Sequence, residues 1–187
     1  MHCNVPNHAS LVTVSFDFQE LVNFGNSVKH NPTVKASYLK HERALQEIFC
    51  YFANLEDLAD PSKESFFKER TIASLLESGL SISEFMDMLK AVNLFNPTVP
   101  MQAVGAIMEA IQSLSDSDQD GADSELTFQQ FVEAFLAISF FKFPDPYVPL
   151  AAKFENFAQL IIPELLAAIP VQKRLSGALF EDYAAAE

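Results

Sequence analysis

Leu126-Thr127-Phe128-Gln129-Gln130-Phe131-Val132-Glu133-Ala134-Phe135 is the stretch on which the fold turns, because an earlier stretch, Leu80-Ser81-Ile82-Ser83-Glu84-Phe85, matches its start type for type. Both read Leu, small hydroxyl, apolar, polar, Glu or Gln, Phe. Ser81-x-x-Glu84 and Thr127-x-x-Gln130 are also capping boxes: the hydroxyl accepts from the N3 amide and the N3 side chain returns to the N-cap amide. Each pattern therefore predicts a helix beginning just after the hydroxyl residue. Upstream of each lies another helical period, Leu45, Ile48, Phe49 and Phe52 in the first copy and Val104, Ile107, Met108 and Ile111 in the second. Two helix-loop-helix units in tandem follow. The tetrapeptide Asn-Pro-Thr-Val at 31–34 and again at 96–99, ahead of each incoming helix, agrees with a duplication.

The acidic run Asp116-Ser117-Asp118-Gln119-Asp120-Gly121 precedes the second unit at nearly the spacing of a calcium loop. Such a loop takes oxygens from positions 1, 3, 5, 7 and 9 of twelve, Gly at 6 and a bidentate Glu at 12. With Asp116 at position 1, Asp118, Asp120 and Gly121 fall at 3, 5 and 6, but position 8 is Asp123 and position 12 is Thr127. Counting back from the exiting helix puts Leu126 at 8 and Gln130 at 12, and leaves three surplus residues after Gly121. Asp116, Asp118 and Asp120 are thus the candidate metal ligands, for calcium, and Gln130 offers one neutral oxygen where a bidentate carboxylate is required. In the first unit the segment from Ala53 to Leu80 is too long for such a loop, and Glu56, Asp57 and Asp60 lack alternate spacing. That unit is expected to bind no ion.

Composition bounds the function. The 187 residues carry 25 Asp and Glu against 12 Lys and Arg, a formal charge of −13, which argues against nucleic acid and against docking by charge on acidic membranes. Hydrophobic residues make up 49%, enough to build a core. Among 18 Phe, 4 Tyr and no Trp, Phe49, Phe52, Phe85, Phe128, Phe131 and Phe135 fall on helical stripes and are expected in that core. Cys3 and Cys50 imply no disulfide framework, and neither a leader pattern nor a membrane-length apolar run is read, so an intracellular, soluble chain is expected. His2, His8, His30 and His41 show no zinc spacing, only five glycines occur, and no nucleophile motif is seen. No enzyme and no cofactor are expected. Lys29, Lys35, Lys40 and Arg43, with His30 and His41 near them, form a local basic patch.

Along the chain, residues 1–35 read as an extended N-terminal arm, with Val12, Val14, Phe16 and Phe18 alternating. Helices are expected over Ala36–Asn54, Ser62–Glu77, from Ser81 to Val92, from the Pro97/Pro100 pair to Leu114, and over Phe128–Phe140. A stiff, extended connector follows from Phe143 to Pro149, then a helix from Leu150 to Ile162, a short one after Pro163, and a tail over Ala178–Glu187. The class is all-α: an arm (1–35), a paired unit (36–142), and a Pro-rich connector with C-terminal helices and tail (143–187).

From about residue 38 to 165 this order of motifs resembles a degenerate, calmodulin-like EF-hand pair, of the kind found in proteins of ciliary and flagellar axonemes. It is similar, more distantly, to the tubulin-polymerisation-promoting proteins. The resemblance implies a non-catalytic, calcium-independent scaffold of the axonemal cytoskeleton whose partners are proteins, tubulin or its neighbours. Acidity directs any tubulin contact to the tubulin body rather than its acidic tails. The alternatives are an EF-hand calcium sensor opening an apolar groove, and a regulatory subunit that binds a target helix without calcium.

Overall fold

A computed structural model describes residues 31–55, 70–113, 125–171 and 175. The arm residues Val12 to Phe18, the acidic run with Asp116, Asp118 and Asp120, the first half of the expected Ser62–Glu77 helix, and the tail lie outside them. The described chain is mostly helical. Its elements are α1 (Pro32–Phe52), α2 (Ile72–Leu76), β1 (Leu80–Ser81), α3 (Ile82–Ala91), α4 (Met101–Ser113), β2 (Glu125–Leu126), α5 (Phe128–Lys142) and α6 (Leu150–Ala168).

Helix α1 begins four residues ahead of the expected Ala36. Asn31 is its N-cap and accepts from the Thr33 and Val34 amides, while Pro32 sits in the first turn, where its missing N–H costs nothing. Residues 32–35 therefore belong to the helix rather than to the arm, and Val34 is buried. The same tetrapeptide folds alike at its second occurrence: Asn96 Oδ1 accepts from Thr98 N at 2.9 Å and Val99 N at 3.1 Å, as Asn31 Oδ1 does from Thr33 N at 3.0 Å and Val34 N at 3.4 Å. There, however, the turn closes on itself through paired Asn96 and Val99 backbones, and α4 starts beyond Pro100.

Of the helix expected over Ser62–Glu77, the described residues are helical only over Ile72–Leu76: Thr71 is extended (φ −77°, ψ 158°), and its hydroxyl accepts from Ser74 N, so α2 starts at Ile72. A side chain that offers the backbone a local partner competes with continuation of the helix. The connector is also bent rather than extended throughout, since Asp145 takes the Tyr147 amide on its side chain at 2.9 Å and the Val148 amide on its carbonyl. Helix α6, expected in two pieces, runs unbroken through Pro163. Proline removes one intrahelical bond, but Phe157, Ala158, Ile161, Ile162 and Leu165 are buried on both sides of it, and that burial outweighs the lost bond.

Helix α3 ends in a Schellman motif: Leu94 N donates to Leu89 O, Asn93 N donates to Lys90 O, and Asn93 adopts φ 51°. Strands β1 and β2 pair antiparallel, Leu80 opposite Leu126 and Ser81 opposite Glu125. A Cβ built on Gly79 would run into the Glu125 side chain, so this crossing needs glycine at 79.

One apolar cluster gathers Leu45, Ile48 and Phe49 of α1, Phe85 and Leu89 of α3, Val104 and Ile107 of α4, and Phe131 and Phe135 of α5. Phe154, Phe157 and Leu165 of α6 join the same cluster, so the core runs across the boundary read at 142/143. Helix α5 is its axis: Phe131, Val132, Ala134, Phe135, Leu136, Ala137, Ile138 and Ser139 are all buried, and within that span Glu133 alone is partly exposed.

Candidate functional site

The two repeated motifs meet at their equivalent positions. Leu80 pairs with Leu126, and each is the first residue of its copy, so the short ladder relates the copies by a local pseudo-twofold axis. Five residues on, Phe85 and Phe131 stand edge to face, centroids 6.0 Å apart and planes at 89°, both fully buried. Phe131 also touches Phe49 at 5.4 Å and Phe135 at 4.7 Å, which ties the incoming helix of the first copy to the exiting helix of the second. Of the six phenylalanines expected in the core, Phe49, Phe52, Phe85, Phe131 and Phe135 are buried, and Phe128 packs against the cluster partly exposed.

Both capping boxes form. Ser81 N donates to Glu84 Oε2 at 2.9 Å and Ser81 Oγ receives the Glu84 amide at 3.2 Å. Thr127 N donates to Gln130 Oε1 at 2.8 Å and Thr127 Oγ1 receives the Gln130 amide at 3.3 Å. Glu84 and Gln130, which the calcium-loop reading puts at the last ligand position, each have a side-chain oxygen engaged by the N-cap amide. The other candidate ligands, Asp116, Asp118 and Asp120, lie outside the described residues. Among the described residues no three His, Cys, Asp or Glu side chains gather in metal-binding geometry.

A second polar constellation was not legible in the sequence. Glu155 of α6 accepts from Ser37 Oγ at 2.7 Å, contacts His41 Nε2 at 3.2 Å and Lys40 Nζ at 3.5 Å, and accepts from Gln159 Nε2 at 3.1 Å. Ser37 donates chiefly to hold the carboxyl far below the usual range, at about 2; burial opposes this, and Gln159 and His41 reinforce it. Serine, histidine and glutamate in one place invite comparison with a nucleophilic triad, but the order is wrong. A triad needs histidine between hydroxyl and carboxylate, whereas here Ser37 and His41 both point at Glu155. The carboxylate is clamped and no hydroxyl is activated. Lys40 and His41 belong to the basic patch of the sequence, and Glu155 lies over a hundred residues away, so only the docking of α6 on α1 reveals the partner.

Three further polar features are structural. Asn54 donates to Cys50 O at 2.9 Å and accepts from Ser78 Oγ at 3.0 Å and Arg70 at 3.4 Å, fastening the end of α1 to the approach to β1. Burial pushes the Cys50 thiol up to about 12, which keeps it protonated and unreactive at neutral pH. Buried Lys153 lays its ammonium 4.2 Å above the Phe140 ring, a cation–π contact between α6 and α5. No helix among the described residues is long and apolar enough to cross a membrane. No family model matches this chain, nor does any curated protein or solved structure.

Proposed function

We propose that this chain is a non-catalytic scaffold built on a degenerate, tandem EF-hand-like pair, acting as a microtubule-associated component of a ciliary or flagellar axoneme. The observation that carries the pair is Leu80 opposite Leu126: a duplicated unit joined at equivalent residues accounts for the repeat, the ladder and the phenylalanine contact beneath it. Calcium independence is supported by Glu84 and Gln130, which serve as helix caps and leave the second site without a bidentate terminal carboxylate. The axonemal assignment rests on the resemblance of the motif order over about residues 38–165. Its partners are proteins, with no cofactor and no nucleic acid.

Two measurements test this reading. A calorimetric calcium titration should show no micromolar site; a micromolar site abolished by Asp116→Ala with Asp118→Ala would establish the alternative, a calcium sensor. The tagged full-length protein should localise along axonemal microtubules, and a diffuse distribution would remove the cytoskeletal assignment.

A further inference from the structure

Lys153 lies in the first turn of α6 and is only 1% exposed. Its ammonium rests 4.2 Å from the centroid of the Phe140 ring, and among the described residues no carboxylate, carbonyl or hydroxyl pairs with it. An ammonium carries three donors, and a ring face offers them no lone pair. Buried charges of this kind are held by a partner of opposite sign. Glu155, two residues on, projects about 200° further round the helix. There it is held by Ser37, Lys40 and His41 of α1. Asp145 of the connector takes the Tyr147 amide instead. At this corner between α5 and α6 the surface is aromatic, with Phe140 40% and Tyr147 93% exposed.

The chain itself supplies a segment that fits. Ser37 Oγ donates to Ala151 O at 3.4 Å, so the start of α1 lies against the first turn of α6, and the N-terminal arm joins α1 there, at Asn31. In the arm Val12, Val14, Phe16, Phe18 and Glu20 are all two apart, so an extended chain turns the five to one face and Asp17 to the other. Glu20 precedes Asn31 by 11 residues, a reach of up to about 36 Å. The C-terminal tail leaves from the opposite end of α6, about 24 Å along the helix from Lys153. We infer that residues 12–20 form a strap that lies extended across the α5–α6 corner, its apolar face on Phe140 and Tyr147 and the Glu20 carboxylate on the Lys153 ammonium. The strap holds whether or not the paired unit is of EF-hand descent.

Amide hydrogen exchange of the full chain, followed on peptides covering residues 12–22, tests the contact. These amides should exchange at least roughly tenfold more slowly in the chain than in a synthetic peptide of the same residues. Glu20→Gln should remove most of that protection, having lost a charged partner worth about tenfold, whereas Asp17→Asn, on the opposite face, should leave it in place. Lys153→Met should act as Glu20→Gln does, and the double variant should lose no more protection than either single one. Should Lys153→Met fail to fold, the Glu20 and Asp17 variants still decide. Arm amides that exchange at the rate of the synthetic peptide would overturn the proposal, as would equal effects of Glu20→Gln and Asp17→Asn. So would protection that rises with protein concentration, since a second copy would then occupy the corner.

Discussion

Phe131 touches Phe49, Phe85 and Phe135 at once, so its ring is shared by the incoming helix of one repeat and the exiting helices of both. Phe131→Ala should therefore cost about 3–5 kcal/mol through lost burial and a residual cavity. Ser81→Ala removes one cap and should cost nearer 1 kcal/mol. Denaturant midpoints check the ranking. Asn93, exposed and held at φ 51°, tests backbone rather than packing. Asn93→Val forces a β-branched residue into the left-handed region and should cost about 1–2 kcal/mol, whereas Asn93→Gly should stay within about 0.5 kcal/mol of the parent. Glu155 links a residue to pH. Its folded value of about 2 lies below the ordinary 4.5, so the carboxylate contributes stability that is fully present above about pH 4.5 and is lost as pH falls toward 2. Thermal midpoints should fall across that window, and Glu155→Gln should flatten part of the fall. Because 24% of the Glu155 side chain remains exposed, solvent screens the clamp and the effect should be modest.

Helix α6 carries a proline where a helix least tolerates one, yet Pro163 faces solvent and the helix continues to Ala168. Pro163→Ala restores an N–H to the ladder and removes the clash with the preceding turn, at the expense of a less restricted unfolded chain. A net stabilisation of about 1–3 kcal/mol is expected, measured as a raised denaturation midpoint. If the variant is no more stable than the parent, α6 is already distorted around the proline. The starts of α3 and α5 were readable from the sequence alone, because a capping box is a local hydrogen-bond pattern and its four residues suffice to build it. The start of α1 was not placed correctly: Asn31-Pro32 reads equally as a loop, and helix was decided by burial of Val34. The helix start at Thr71 is hidden for the converse reason, since an apolar period continues across a residue whose own hydroxyl caps a new turn.

At the scale of the whole molecule, the described core draws on residues from Val34 to Ile169. Deleting residues 1–28 should accordingly leave a folded chain, with its thermal midpoint within a few degrees of the parent. A truncated protein that unfolds would show that the arm belongs to the core. Sequence by itself determined what is local or periodic: the helical class, the two capping boxes, the repeat around Leu80 and Leu126, and the burial of five of the six phenylalanines expected in the core. These follow from hydrogen bonds within four residues and from apolar spacing, both written in the order of the chain. Tertiary structure alone decided the rest. That Leu80 faces Leu126, that Glu155 meets Ser37 and His41, and that α6 lies on α1 rather than apart from it all depend on which apolar faces bury one another. Apolar burial is non-directional, so a stripe on a helix announces that it will be covered without naming the helix that covers it.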